Sequence, residues 1–99
     1  MRIISGKFRG KKITLPKDKK TRPLRDLVKE SVFNLIQHSN KFDCVIDNSN
    51  ILDLFSGSGS FGIECISRNA KKVVFIENYK EAIEVLKKNT SIFNEEEKY

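Results

Sequence analysis

Five residues near the middle of the chain have types and spacings suited to ligand chemistry: Asp53, Gly57, Gly59, Gly62 and Glu77. The glycines satisfy G-x-G-x-x-G, and Glu77 follows Gly57 by twenty residues. An apolar run, Ile51-Leu52-Asp53-Leu54-Phe55, leads into this turn, and Val73-Val74-Phe75-Ile76 leads into Glu77. Such a turn forms a nucleotide-sized pocket at the carboxyl end of a strand. Gly57 permits the sharp turn off the strand. Gly59 removes a side chain where a ligand would approach backbone. Gly62 lets the following helix pack closely on the sheet. An ionised Glu77 can accept two hydrogen bonds from the cis hydroxyls of a ribose.

Two ligand classes share this logic: NAD-type dinucleotides and S-adenosylmethionine. The glycines alone do not separate them, and a tight β-α turn with no ligand is a third reading. Three features favour the methyl donor. Asp53 lies inside the strand end, where an anionic pyrophosphate needs no acid but an ammonium and a sulfonium gain from one. Phe55 and Ser56 narrow the turn. The fingerprint also begins at residue 53, behind a basic segment, not at the N-terminus.

The elements that must position these residues follow from periodicity. Residues 2–15 alternate loosely around Gly6 and Gly10, which predicts a β-hairpin or two short strands. Residues 16–20 read as a linker. Thr21 and Pro23 suit a helix start, and Leu24, Leu27, Val28, Val32, Leu35 and Ile36 recur at three- and four-residue steps to give one apolar face. That pattern decays over residues 37–40. His38, the single histidine, suits a surface or capping position at the helix end. Phe42, Val45 and Ile46 are expected to pin the next segment to the body. The strand at 51–55 reads as buried on both faces. A short helix is expected from Gly62 to Arg68. A second strand follows at 73–76, then a helix capped by Asn78 with Glu81 three residues on, and with Ala82, Ile83, Val85 and Leu86 inward. The order β-α-β-α implies parallel strands joined by right-handed crossovers. The fold class is therefore α/β, with residues 1–20 as a basic hairpin and linker and residues 21–99 as the α/β part.

Composition sets the remaining bounds. With 99 residues, 38% hydrophobic and 32% charged, the chain is one small domain with a thin core. No stretch is long and apolar enough for a membrane span or a secretory signal. Cys44 and Cys65 have no metal-like spacing, neither follows a proline, and both read as reduced thiols in a cytoplasmic protein that needs no metal. The charge is uneven. Residues 1–25 hold ten basic residues and one acid, for +9; the remainder is −3, which makes the net +6. A basic block on a mildly acidic body points to a polyanion partner. An ordinary solvated basic hairpin is the plainer alternative.

Three segments resemble one family, the bacterial small-subunit ribosomal RNA guanine-N2 methyltransferases. Residues Arg2 to Ile13 are similar to its opening R-I-I-x-G-x-x-R-G-x-x-L. Thr21 to Asn34 is similar to its R-P-T-x-D-R-V-R-E-x-L-F-N helix. Leu52 to Glu64, with Phe75-Ile76-Glu77, is similar to its L-D-L-F-A-G-S-G-x-L-G-x-E motif and ribose-binding acid. The resemblance implies a Rossmann-like class I methyltransferase fold, of which residues 21–99 are the N-terminal half, S-adenosylmethionine as donor, and a guanine of 16S ribosomal RNA or an assembling small subunit as substrate. It implies that Asp53, Phe55, Gly57, Ser58, Gly59, Glu77 and Asn78 line the donor site. It implies that Arg22, Asp26 and Asn34 lie on the helix that closes over the donor, and that Arg2, Lys7, Arg9, Lys11 and Lys12 track RNA phosphates. Leu24 departs from the family's usual Thr, and Arg25 is a further basic residue there. The D/N-P-P-F/Y segment that receives the target amine is absent, since Pro16 and Pro23 are the only prolines. The expectation is a truncated methyltransferase, inactive alone, with no catalytic residue in this chain. A DNA amino-methyltransferase and a non-catalytic nucleic-acid-binding module are the alternatives.

Overall fold

The structure, a computed structural model, describes residues 2–14, 26–38 and 45–91. Five elements follow in order: α1 (Asp26–His38), β1 (Asn50–Leu54), α2 (Ser60–Ser67), β2 (Lys72–Ile76) and α3 (Lys80–Thr90). β1 and β2 pair in parallel, with Asn50 opposite Lys72 and Leu54 opposite Ile76. The β-α-β-α order is as the apolar runs imply. Thr21, Arg22, Pro23, Leu24, Phe42 and Cys44 lie outside the described residues.

The core sits between α2, α1 and the sheet. Phe33, Ile46, Cys65, Ile66, Ala70 and Val73 form one buried cluster, and Ile3, Ile13 and Ile63 form a second. Phe8 and Phe75 pack against both and join them. Of the pair expected to pin the segment before β1, Ile46 is buried and Val45 is exposed.

The sheet departs from the reading of strands buried on both faces. Side chains alternate across a strand, and α2 covers the face carrying Val73 and Phe75. On the other face Leu52, Leu54, Val74 and Ile76 are all more than 40% exposed. None of the described helices packs there.

α1 turns only part of its expected face inward, with Ile36 packed against the core. Leu27, Val28 and Leu35 are exposed, whereas Lys29 and Phe33 are fully buried. Specific partners set this rotation. Phe33 stacks on Phe61 at 4.9 Å between ring centroids, with the Arg68 guanidinium 4.4 Å from its ring. Lys29 Nζ donates to the Arg2 carbonyl at 2.8 Å and to Ser60 Oγ at 3.2 Å.

Residues 2–14 close on themselves in antiparallel sense, with the Ile3 amide donating to the Lys11 carbonyl and the Gly10 amide to that of Ile3, but they do not extend into the expected strands. Two glycine turns fold the segment tightly, and its single bridge pairs Arg2 with Lys12 in antiparallel sense. The reason is where the amides go. Ile4 and Ser5 donate to Glu64, Lys7 to the Ser67 carbonyl, and Phe8 to Ser67 Oγ. Backbone committed to α2 cannot also build a strand ladder. Glu64 is the hub of this contact: besides the two amides, it binds Lys29 Nζ at 3.3 Å and Arg68 Nε at 2.9 Å.

Two helix starts also differ from expectation. α2 begins at Ser60, before Gly62, because Gly59 turns the chain with φ +85 and Asp53 supplies the cap from β1. α3 is not opened by an Asn78–Glu81 capping box. Its N-cap is Tyr79, without a side-chain cap, and Glu77 takes the amides of Asn78 and Tyr79 instead.

Candidate functional site

The glycine turn sits where both strands end. It is tied to β2 by the Ser56 amide, which donates to the Ile76 carbonyl at 2.9 Å. Ser56 Oγ lies 2.8 Å from the Asp53 carbonyl and 3.1 Å from that of Ile76. Gly57 N–H donates to Glu77 Oε1 at 2.8 Å, so the ends of the two strands are joined through the acid itself. Phe55 departs from β1 with φ +55 and is 88% exposed. A non-glycine residue held in that region stores strain on the order of 1–3 kcal/mol, and such strain collects at ligand sites.

Two of the glycines answer to packing. A Cβ on Gly62 would lie 2.3 Å from Phe75 Cε1 and 2.9 Å from Val73 Cγ1, so α2 sits directly on β2 as expected. At Gly59 the outcome differs. The space a Cβ would fill is taken by Leu86 of α3, 2.3 Å away, and by Ile63 at 3.2 Å. The bare side of Gly59 therefore faces the protein's own core, and its left-handed φ is the second reason for glycine. Ser58 is buried, and its carbonyl accepts from Asn89 Nδ2 at 2.8 Å.

The two acids have opposite surroundings. Asp53 is largely buried, and its Oδ2 accepts the amide of Gly62, the third residue of α2, at 3.1 Å. It thus does the work of an N-cap from another element. Burial pushes its carboxyl above the ordinary value; the Gly62 amide counters this, and the nearby Glu77 charge adds to it. Glu77 accepts three amides, from Gly57, Asn78 and Tyr79, and these hold its carboxyl below the usual range, Tyr79 foremost. Of the roughly four acceptor positions of a carboxylate, about one remains. Asn78 is exposed beside it.

The other sequence-derived residues lie elsewhere. Arg2, Arg9 and Asn34 line a groove of about 590 Å3 between the N-terminal segment and α1. Lys7 and Lys11 flank Phe8, each with Nζ 5.3 Å from the ring centroid. Lys12 is exposed. Asp26 opens α1, and Arg22 is outside the described residues. His38 is exposed at the end of α1. Cys65 is buried, and desolvation first, then the charges of Asp53 and Glu64, pushes its thiol up to about 12. It is protonated at neutral pH and poorly nucleophilic.

Three important residues escaped sequence reasoning: Lys29, Glu64 and Asn89. All are buried. Glu64 had a signal, a charge inside the otherwise apolar run Ile63 to Ile66 with Arg68 four residues on. Asn89 had none; its partners Thr14 and Ser58 are 75 and 31 residues away.

No group of three or more metal-ligating side chains converges among the described residues, and no described helix is long and apolar enough to cross a membrane.

Comparison with known proteins adds a separate line. The chain is 44% identical over 90 residues to "Ribosomal RNA small subunit methyltransferase D" of Haemophilus influenzae, covering 90% of this chain and 43% of that protein. Its identity to the Escherichia coli K12 protein of the same name is 37% over 89 residues, covering 90% and 42%. It spans a little under half the length of these relatives. Among solved structures, an Escherichia coli protein named "Putative methyltransferase yhhF" superposes with a TM-score of 0.76 at 34% identity, covering 93% of this chain and 46% of that one. The Rossmann-like arrangement of β1, α2, β2 and α3 is thus shared with methyltransferase structures. A family model described as "Conserved hypothetical protein 95" matches residues 1–99, and the chain belongs to that family.

Proposed function

We propose that this chain forms the donor-binding part of an S-adenosylmethionine-dependent methyltransferase that modifies guanine N2 in 16S ribosomal RNA in the cytoplasm. The observation that carries this reading is the pair Asp53 and Glu77, two carboxylates at the ends of adjacent parallel strands with the glycine turn between them. A cationic ligand suits that pair. Two acids close together disfavour each other's ionised forms, and a nearby positive charge reverses the effect. A pyrophosphate would meet an anion there.

Each residue then has a task. Glu77, kept ionised by its three amides, accepts a ribose hydroxyl at its remaining position. Asp53 supplies negative charge toward the ammonium and sulfonium. Phe55, exposed at the turn, offers a flat apolar surface. Gly57, Ser58 and Gly59 present backbone, and Asn78 stands beside the acid. When bound, the donor supplies an electrophilic methyl group on sulfur. The chain's own contribution is to hold that donor and, through its basic N-terminal segment, to bring the RNA near; positioning of this kind accounts for much of a transfer's acceleration. Groups that accept the amine hydrogens of guanine are not supplied by a Pro-Pro motif in these residues. The names of the relatives favour RNA over DNA as the nucleic acid.

Calorimetric titration with S-adenosylhomocysteine tests the reading. Saturable binding that weakens strongly in Asp53→Asn and Glu77→Gln is expected, with NADH giving none. Binding of NADH without S-adenosylhomocysteine would overturn it.

A further inference from the structure

The groove between the N-terminal segment and α1 is separate from the glycine turn, and its lining is chemically uneven. One wall is formed by residues 2–5 with Arg9 and Gly10. The other is a single stripe of α1 that includes Leu27, Glu30, Asn34 and Gln37. These follow at steps of three, four and three residues, so they share one helix face. Asn34 and Gln37 are exposed amides, Leu27 is 77% exposed, and Glu30 is the one acid. Gln37 is held in place: its Oε1 accepts from Arg68 Nη1 at 2.9 Å, which leaves its NH2 as the group able to donate.

The groove also has a direction. Near its start, Lys29 reaches Ser60 at the glycine turn; at its end, Gln37 meets Arg68 beyond the last residue of α2. From Leu27 to His38 the axis rises about 16 Å, which is long enough for a short run of nucleotides. Cations on one wall suit phosphates. Amides and an exposed leucine on the other suit base edges and faces, which an A-form duplex hides but a single strand offers.

We infer that this groove seats a single strand of RNA leading away from the donor turn, with Arg9 on phosphate and Asn34 reading a base edge. The inference rests on the ribosomal RNA reading above. It turns Asn34, which the family resemblance put on the helix closing over the donor, toward the RNA.

Fluorescence anisotropy with a short labelled single-stranded RNA tests it, using the 99-residue chain and two exposed-site variants. Asn34→Ala is expected to weaken binding about tenfold with an unchanged salt dependence. Arg9→Ala is expected to weaken it and to flatten the slope of log K against log salt by about 0.7. Both should bind S-adenosylhomocysteine like the parent chain. Duplex RNA and inorganic phosphate should compete poorly. RNA binding unaffected by Asn34→Ala, loss of S-adenosylhomocysteine affinity in that variant, or equal competition by duplex or phosphate would each overturn the groove assignment. A parent chain that binds RNA in this pattern but no S-adenosylhomocysteine would sink the donor reading and leave the groove standing.

Discussion

Asn89 of α3 donates its amide Nδ2 to the Ser58 carbonyl at 2.8 Å, and so holds the glycine turn from behind. The same side chain closes a pair with Thr14, donating to its carbonyl at 2.9 Å and accepting its amide at 2.8 Å. One buried side chain thus ties the end of the N-terminal segment to the turn. At the other end of that segment, Lys29 links the Arg2 carbonyl to Ser60. Both ends of the basic segment are fastened to the loop that would hold the donor.

Asn89→Ala leaves three backbone groups without their partner. The Ser58 bond is buried and the Thr14 bonds are only part-buried; one orphaned buried group costs about 1–3 kcal/mol, so the variant should lose at least about 1 kcal/mol, read as a lower urea midpoint. If the turn depends on this clamp, S-adenosylhomocysteine affinity falls as well. An unchanged midpoint would show that water replaces the amide without cost.

Glu64 is the second prediction. Removing one partner of a buried charge pair costs about 3–5 kcal/mol because the other is left uncompensated. Removing Glu64 strands Lys29, Arg68 and two amides at once, whereas removing Lys29 leaves Glu64 still paired with Arg68 and both amides. Glu64→Ala should therefore destabilise the chain more than Lys29→Met, by chemical denaturation. The double variant should cost less than the sum of the two, since each single change strands the other group.

These contacts also explain what could and could not be read in the sequence. The apolar runs at 51–55 and 73–76, with glycine and acid after them, are local signals, and the β-α-β-α order followed from them. The start of α2 was not local, because its cap comes from Asp53 on the preceding strand. Nor was the inward face of α1. Leucines at helical spacing pointed one way, but Phe33 on Phe61 and Lys29 on Glu64 turned the helix another. The N-terminal alternation suggested strands, yet its amides are taken by Glu64 and Ser67 about sixty residues on. At the site, residue types were legible and their hydrogen-bond obligations were not: Gly59 packs on Leu86, and Glu77 already serves three amides.

Phe55 supplies the third prediction. Its φ of +55 is costly for a side-chain-bearing residue, by about 1–3 kcal/mol, and its ring is too exposed to return much through burial. Phe55→Gly should leave stability unchanged or raise it by up to about 1 kcal/mol, while weakening S-adenosylhomocysteine binding. A stability loss with unaltered binding would assign the ring a purely structural role.

The fourth prediction concerns pH, and the two acids give opposite signs. Asp53 titrates above its ordinary 3.8 when folded, burial being the main cause. Between 3.8 and that raised value the native chain keeps a proton the unfolded chain has released, so this group's stabilisation declines as pH rises through the interval. Glu77 titrates below its ordinary 4.5, so its contribution is complete above 4.5 and is lost as pH falls below it. Urea midpoints across the acidic range should show both effects: Asp53→Asn removes the decline on raising pH, and Glu77→Gln removes the loss on lowering it. Donor binding adds a check. A ligand carrying an ammonium group favours ionised Asp53, so affinity for S-adenosylhomocysteine should climb with pH over the same interval in the parent chain and stay flat and weaker in Asp53→Asn. A flat parent profile would mean that Asp53 serves α2 as a cap and contributes nothing to the ligand.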